Sequence, residues 1–166
     1  TAGFEASGTG NMKFALNGAL TVGTYDGANI EIREAVGADN FYLFGLREEQ
    51  IQEMRKNNAY NPRTCYENSE YLRRILNAVN SNMFCEKDYV LLFKVIYEEL
   101  LNRDYYFLLA DLEAFNKALH DAEKDYTNPQ KWAKKAIVNV AKIGYFSSDR
   151  AVMEYAKNIW HIKPVD

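Results

Sequence analysis

The chain has 166 residues, 48% of them apolar and 26% charged, with a formal net charge of −3. That length suits one ordinary domain, or part of a larger one, and can carry a core without disulfide or metal staples. The composition excludes a disordered tail, gives no general electrostatic reason to bind nucleic acid, and offers nothing near the ~18 consecutive apolar residues of a membrane helix.

Glycine and charge divide the chain unevenly. Eight of the nine glycines fall in residues 1–46, where two basic and five acidic side chains leave a net charge of −3; the remainder sums to zero. Residues 1–46 are therefore expected to form a glycine-rich α/β segment and residues 47–166 a mainly helical one. No Gly/Ser linker separates them, so one continuous fold is expected. Residues 19–24 (Ala-Leu-Thr-Val-Gly-Thr) read as a short buried strand. Residues 29–36 fit a helix stopped by Gly37, and residues 40–44 (Asn-Phe-Tyr-Leu-Phe) read as a second strand. The spacing is that of a parallel β-α-β crossover, an α/β fold class whose two strands call for further neighbours.

Helical periodicity dominates thereafter. Leu72, Ile75, Leu76 and Val79 mark one helical face, and residues 89–101 are apolar nearly all round, predicting a helix buried on more than one side. Leu112, Phe115, Leu119 and Ala122 mark another helix, with Asp111 as its expected N-cap. Asn128-Pro129 pairs an N-cap with proline at the first helical position, ahead of a face made by Trp132, Ala136, Ile137 and Val140. Val152, Ala156, Ile159 and Trp160 form a last stripe after a Ser147 or Ser148 cap. These aromatic and aliphatic stripes read as core.

The chemistry concentrates near the start. In Gly8-Thr9-Gly10, two glycines flank a threonine ahead of a helix-compatible run over residues 11–17. Such glycines let successive N–H groups converge on an anion, and the helix macrodipole adds to that field. Lys13, just inside the helix, would serve as a charge partner or an imine-forming amine. The run is neither a Walker A loop nor a dinucleotide fingerprint, and no Gly-x-Ser-x-Gly elbow makes Ser7 a nucleophile. Spacing alone favours a plain strand-to-helix turn over a phosphate cradle. Cys65 and Cys85 read as two reduced thiols, and His120 and His161 stand apart without ligand spacing, so no metal site is expected. The chain opens at Thr1 in dense, turn-rich sequence with no targeting pattern, and reads as a piece of a longer cytoplasmic protein.

Longer runs speak to family. Glu5-Ala-Ser-Gly-Thr-Gly-Asn-Met-Lys-Phe14, continuing through Asn17-Gly-Ala-Leu-Thr-Val-Gly-Thr24 and Asp26-Gly-Ala-Asn-Ile-Glu31, closely resembles the pyridoxal phosphate attachment region of the α-glucan phosphorylases. Asn40 to Gly45, Gly144-Tyr-Phe-Ser-Ser-Asp-Arg150 and Tyr155-Ala-Lys-Asn-Ile-Trp160 resemble later segments of the same family, so the likeness covers essentially the whole chain. It implies part of the C-terminal, Rossmann-like domain of a GT-B glycosyltransferase that phosphorolyses α-1,4-glucan with orthophosphate, releasing glucose 1-phosphate with retention. It further implies that Lys13 holds pyridoxal 5′-phosphate as a Schiff base. The backbone at Gly8, Thr9 and Gly10 would hold the cofactor's 5′-phosphate, and Glu5 with the backbone of Ala6, Ser7 and Gly8 would bind the glucosyl hydroxyls. A homodimeric parent is implied as well.

Relatives are several times longer, and only one wall of the expected cleft is encoded here. The isolated chain is therefore expected to be inactive and to expose apolar surface. Two rival readings are a noncatalytic α/β module that binds a phosphate or a partner, and a retaining glycosyltransferase using a nucleotide sugar. The Gly-Thr-Gly-Asn-Met-Lys run disfavours the latter.

Overall fold

The computed structural model describes residues 1–4, 8–84 and 92–163. In chain order, Thr9–Leu16 (α1), strand Val22–Gly23 (β1), Ala28–Val36 (α2) and strand Tyr42–Leu43 (β2) come first. Helices Glu48–Lys56 (α3), Pro62–Asn68 (α4), Glu70–Asn80 (α5), Lys94–Asn102 (α6), Leu108–Tyr126 (α7), Pro129–Lys142 (α8) and Ser148–Tyr155 (α9) follow. They divide into two units that interleave along the chain. One consists of Thr1–Glu5, Thr24–Asp26 and Phe44–Ala118, the other of Ala6–Gly23, Gly27–Leu43 and Leu119–Asp166.

The second of these units contains the expected crossover. β1 and β2 pair in parallel, with Val22 opposite Tyr42 and Gly23 opposite Leu43. Both strands are shorter than the apolar runs that encode them, because among the described residues each pairs only with the other. Between them α2 ends at Gly37, whose φ of 87° lets its N–H reach the Arg33 carbonyl. Ala15, Ile32, Val36, Phe41 and Ile143 form the buried core, with Met12, Leu43 and Phe146 packed against it. Asn128 caps α8 as predicted, its side-chain oxygen accepting the Lys131 N–H at 3.1 Å, with Pro129 at the first helical position.

The inward row of α8 differs from the expected one. Trp132, Lys135, Ala136 and Asn139 face inward, while Ile137 and Val140 are exposed. The physical reason is polar. Asn139 is fully buried and donates to the Lys135 carbonyl at 3.0 Å and the Asn40 carbonyl at 3.4 Å. Lys135 reaches a buried carboxylate at the end of α7: Asp125 accepts from Lys135 Nζ at 2.8 Å, from Lys131 Nζ, and from the Tyr42 hydroxyl at 2.9 Å. Those donors hold Asp125 well below the usual carboxylate range, the hydrogen bonds from the two lysines first. Burial first, and then the carboxylate, push the Tyr42 phenol above its ordinary value. The final stripe also departs from expectation, since Val152, Ile159 and Trp160 are more than half exposed. Ser147 takes the cap position of α9 but makes no side-chain cap bond, and Arg150 instead pairs with Glu154 at 2.5 Å.

The other unit is helical. Leu72, Leu76, Leu101 and Leu109 form one buried cluster, and Ala2, Ile51 and Phe107 another. Of the expected α5 face, Leu72 and Leu76 are buried in the first cluster, while Ile75 and Val79 are half-buried and line a surface cavity with Tyr71, Met83 and Phe84. Ser69 caps that helix by accepting the Leu72 N–H at 3.3 Å. The helix expected over residues 89–101 is seen as α6. Residues 89–91 lie outside the described residues, and Leu101 alone of α6 is buried. Val95 (74% exposed) and Ile96 face away from any cover in the described chain. Asp111 is not an N-cap. It lies inside the first turn of α7, and its Oδ1 accepts the Leu46 N–H at 2.8 Å. The cap comes from Asp104, which accepts the N–H of Leu108 at 2.9 Å and of Leu109 at 2.8 Å, plus the Tyr60 hydroxyl. Burial and that carboxylate push the Tyr60 phenol upward, and its ring stacks on Phe107 at 4.3 Å. Cys65 is a free thiol, raised chiefly by burial; Cys85 lies outside the described residues.

Candidate functional site

The site is built around the first turn of α1. Gly8 takes the cap position with φ 54° and ψ 29°, a left-handed conformation that suits glycine. A Cβ there would lie 3.0 Å from Asn11 Oδ1 and 3.2 Å from the Ala28 Cβ, so the chain passes too close for a side chain. Gly10 is the opposite case, with no atom within 4 Å of an added Cβ. The leading N–H groups of a helix have no intrahelical acceptor. At Gly10 they have open space beside them, with the positive end of the helix dipole behind.

Core packing decides which side of α1 is free. Met12 and Ala15 pack into the core, which leaves Thr9, Gly10 and Lys13 exposed. Thr9 and Lys13 are one turn apart, on the same side of the helix, and the Lys13 Cβ leans toward the N-terminal turn. The helix closes where Asn17 donates its side-chain amide to the Lys13 carbonyl at 2.8 Å, and Gly18 donates its N–H to the Ala15 carbonyl at 3.0 Å. Gly8, Thr9, Gly10 and Lys13 are therefore brought together on one turn. Glu5, Ala6 and Ser7 lie outside the described residues.

Two residues not singled out in the sequence complete the arrangement. Asn11 Nδ2 donates to Asn29 Oδ1 at 2.9 Å, which fastens the first turn of α1 to the first turn of α2. Behind Asn29, a Cβ on Gly23 would lie 2.8 Å from its Nδ2. The N-terminal turns of two helices thus lie side by side next to the end of β1, where open α/β sheets place their ligands. Asn11 and Asn29 both stand inside the motif-bearing runs, but nothing in sequence spacing pairs residues 18 positions apart. These groups suit a phosphate and an amine-linked carbonyl compound: the N–H groups of a helix start, open space at Gly10 and an exposed primary amine. Among the described residues no group of three or more His, Cys, Asp or Glu side chains could hold a metal, and no helix is long and apolar enough to cross a membrane.

The comparisons with known proteins decide the lineage. The family model of the carbohydrate phosphorylases matches residues 1–162. The chain belongs to that family. It is 48% identical to a glycogen phosphorylase of Synechocystis over 99% of its length, and 46% identical to one of Bacillus subtilis over 99%. It is 45% identical to the brain form of glycogen phosphorylase of Homo sapiens over its whole length. The chain spans about a fifth of the length of these relatives. A mostly helical α/β arrangement with a small parallel sheet is compatible with a portion of such a phosphorylase.

Proposed function

We propose that this chain is the cofactor-bearing part of a pyridoxal 5′-phosphate-dependent glucan phosphorylase. In this reading it forms part of the C-terminal GT-B domain, residues 1–46 supplying the cofactor-site segment and residues 47–166 a mainly helical one. The observation that carries the proposal is the turn of α1, where an exposed lysine follows a Gly-Thr-Gly backbone open to an anion, within a chain so similar to glycogen phosphorylases.

Lys13 anchors the cofactor covalently, and the N–H groups of Gly8, Thr9 and Gly10 hold its 5′-phosphate. When bound, the cofactor supplies a phosphate that exchanges protons with the substrate phosphate. Lys13 is thus an anchor rather than the acid or base. Glu5, with the backbone of Ala6, Ser7 and Gly8, orients the terminal glucosyl unit by accepting and donating hydrogen bonds to its hydroxyls, as a neutral ligand requires. The whole enzyme takes α-1,4-glucan and orthophosphate, yields glucose 1-phosphate, works as a homodimer and resides in the cytoplasm.

The exposed apolar side chains of α6 and α9 support a longer parent whose other parts cover them. With one wall of the cleft, the isolated 166-residue chain is inactive. Glucose 1-phosphate release from glycogen and orthophosphate tests the proposal. The full-length protein should be active, its Lys13→Ala variant should lose activity by orders of magnitude, and the isolated chain should show none. An unimpaired Lys13→Ala enzyme would refute the assignment.

A further inference from the structure

We infer that Asn29, acting through Asn11, is a positioning residue for the cofactor phosphate; the inference rests on the cofactor reading above. Asn29 is buried at the start of α2, 7% exposed. Its Oδ1 takes a hydrogen bond across to Asn11 Nδ2 on α1 at 2.9 Å.

The other end of Asn11 is engaged locally, its Oδ1 accepting the Met12 N–H at 2.9 Å. That contact fixes the rotation of the Asn11 amide, and with it which atom faces Asn29. Two glycines make room for the pair. A Cβ on Gly23 would stand 2.8 Å from Asn29 Nδ2, and one on Gly8 would stand 3.0 and 3.1 Å from the Asn11 amide atoms. Gly8 is also the residue that sets the left-handed entry into α1.

A buried amide is destabilising unless hydrogen-bonded, and an apolar pair would join two helices as well. What an amide pair adds is direction. It holds the first turn of α1 at a fixed distance and rotation against the first turn of α2, and so sets where the N–H groups of Thr9 and Gly10 stand. An interaction that fixes donor geometry acts on a ligand's phosphate and not on the rest of the ligand.

The test compares two probes, pyridoxal phosphate and phosphate-free pyridoxal, on the full-length apoenzyme. Asn29→Ala, Asn11→Ala and the double variant are each trapped with borohydride at Lys13 across a concentration series, beside a thermal melt. Each single variant should weaken pyridoxal phosphate about tenfold, the scale of one hydrogen bond. Pyridoxal should shift by less than about twofold on the same scale. The double variant should be no weaker than either single one, because both residues act through one contact. Equal weakening of both probes would mark a merely structural role and overturn the inference. So would unchanged pyridoxal phosphate affinity, or losses that multiply in the double variant. Absence of any Lys13 adduct in the unsubstituted enzyme would instead overturn the cofactor reading, and this inference with it.

Discussion

Replacing Asp125 by asparagine should destabilise the unit that holds the candidate site by about 3 kcal/mol at neutral pH. The carboxylate is 10% exposed and takes Tyr42, Lys131 and Lys135 as donors, so it ties β2, the end of α7 and α8 together. The amide keeps the shape and can still accept from Tyr42. It leaves Lys135, itself only 12% exposed, without its counter-charge. Removing one partner of a buried pair costs roughly 3–5 kcal/mol, and the low end applies because Lys135 also donates to the Asp39 carbonyl. Lys131, 53% exposed, is a solvent-screened partner, so Lys131→Ala should cost less than about 1 kcal/mol.

The pH dependence follows from the same geometry. Asp125 is depressed by its donors, so its contribution is present above the ordinary carboxylate value near ~4 and is lost as pH falls toward its folded value. Tyr42 is raised by burial and by Asp125, so its contribution is present below ~10 and is lost as pH rises beyond that. Both tryptophans, Trp132 and Trp160, belong to this unit, so urea unfolding followed by tryptophan fluorescence reads it directly. Asp125→Asn should lower stability across the plateau and flatten the acid limb. A loss below about 1 kcal/mol, or one equal to that of Lys131→Ala, would refute the argument.

Other outcomes follow from single contacts. Asp104→Ala removes the cap of α7 and the acceptor of Tyr60 together and should cost about 2–4 kcal/mol, measured by chemical denaturation. Gly23→Ala should destabilise by about 1–3 kcal/mol, because its Cβ meets the Asn29 amide at 2.8 Å. Gly10→Ala should leave stability within about 1 kcal/mol, since the new Cβ meets nothing, yet weaken retention of pyridoxal phosphate in the full-length enzyme by occupying the space beside the backbone donors. The isolated chain should bind a hydrophobic dye through side chains such as Val95, Val152 and Ile159, and a monodisperse chain that ignores the dye would contradict the exposure seen here.

The sequence was most legible where a local rule acts alone. Gly37 had to end α2, Asn128-Pro129 had to start α8, and the spacing between the apolar runs required a parallel pairing. It was least legible where a distant residue decides. Asp111 looks like a cap by position, but Asp104, four residues before α7, reaches the helix because Asp104 and Phe107 both take positive φ angles. The α8 face is turned by the buried amide of Asn139 and by Lys135, whose acceptor Asp125 lies on another helix. Apolar stripes on α6 and α9 are real patterns without cover among the described residues, since periodicity records which side is apolar and not what lies against it. At the site, Gly8, Thr9, Gly10 and Lys13 were legible as a motif. The Asn11–Asn29 contact that braces them was not, because it depends on how two helix ends meet.

The most direct test is to incubate the full-length protein with pyridoxal phosphate, reduce it with borohydride and map the adduct by peptide mass beside a Lys13→Ala control. A single adduct on Lys13, absent from the control, is the predicted result. Labelling scattered over other lysines, or none at Lys13, would contradict the assignment of α1 as the cofactor anchor.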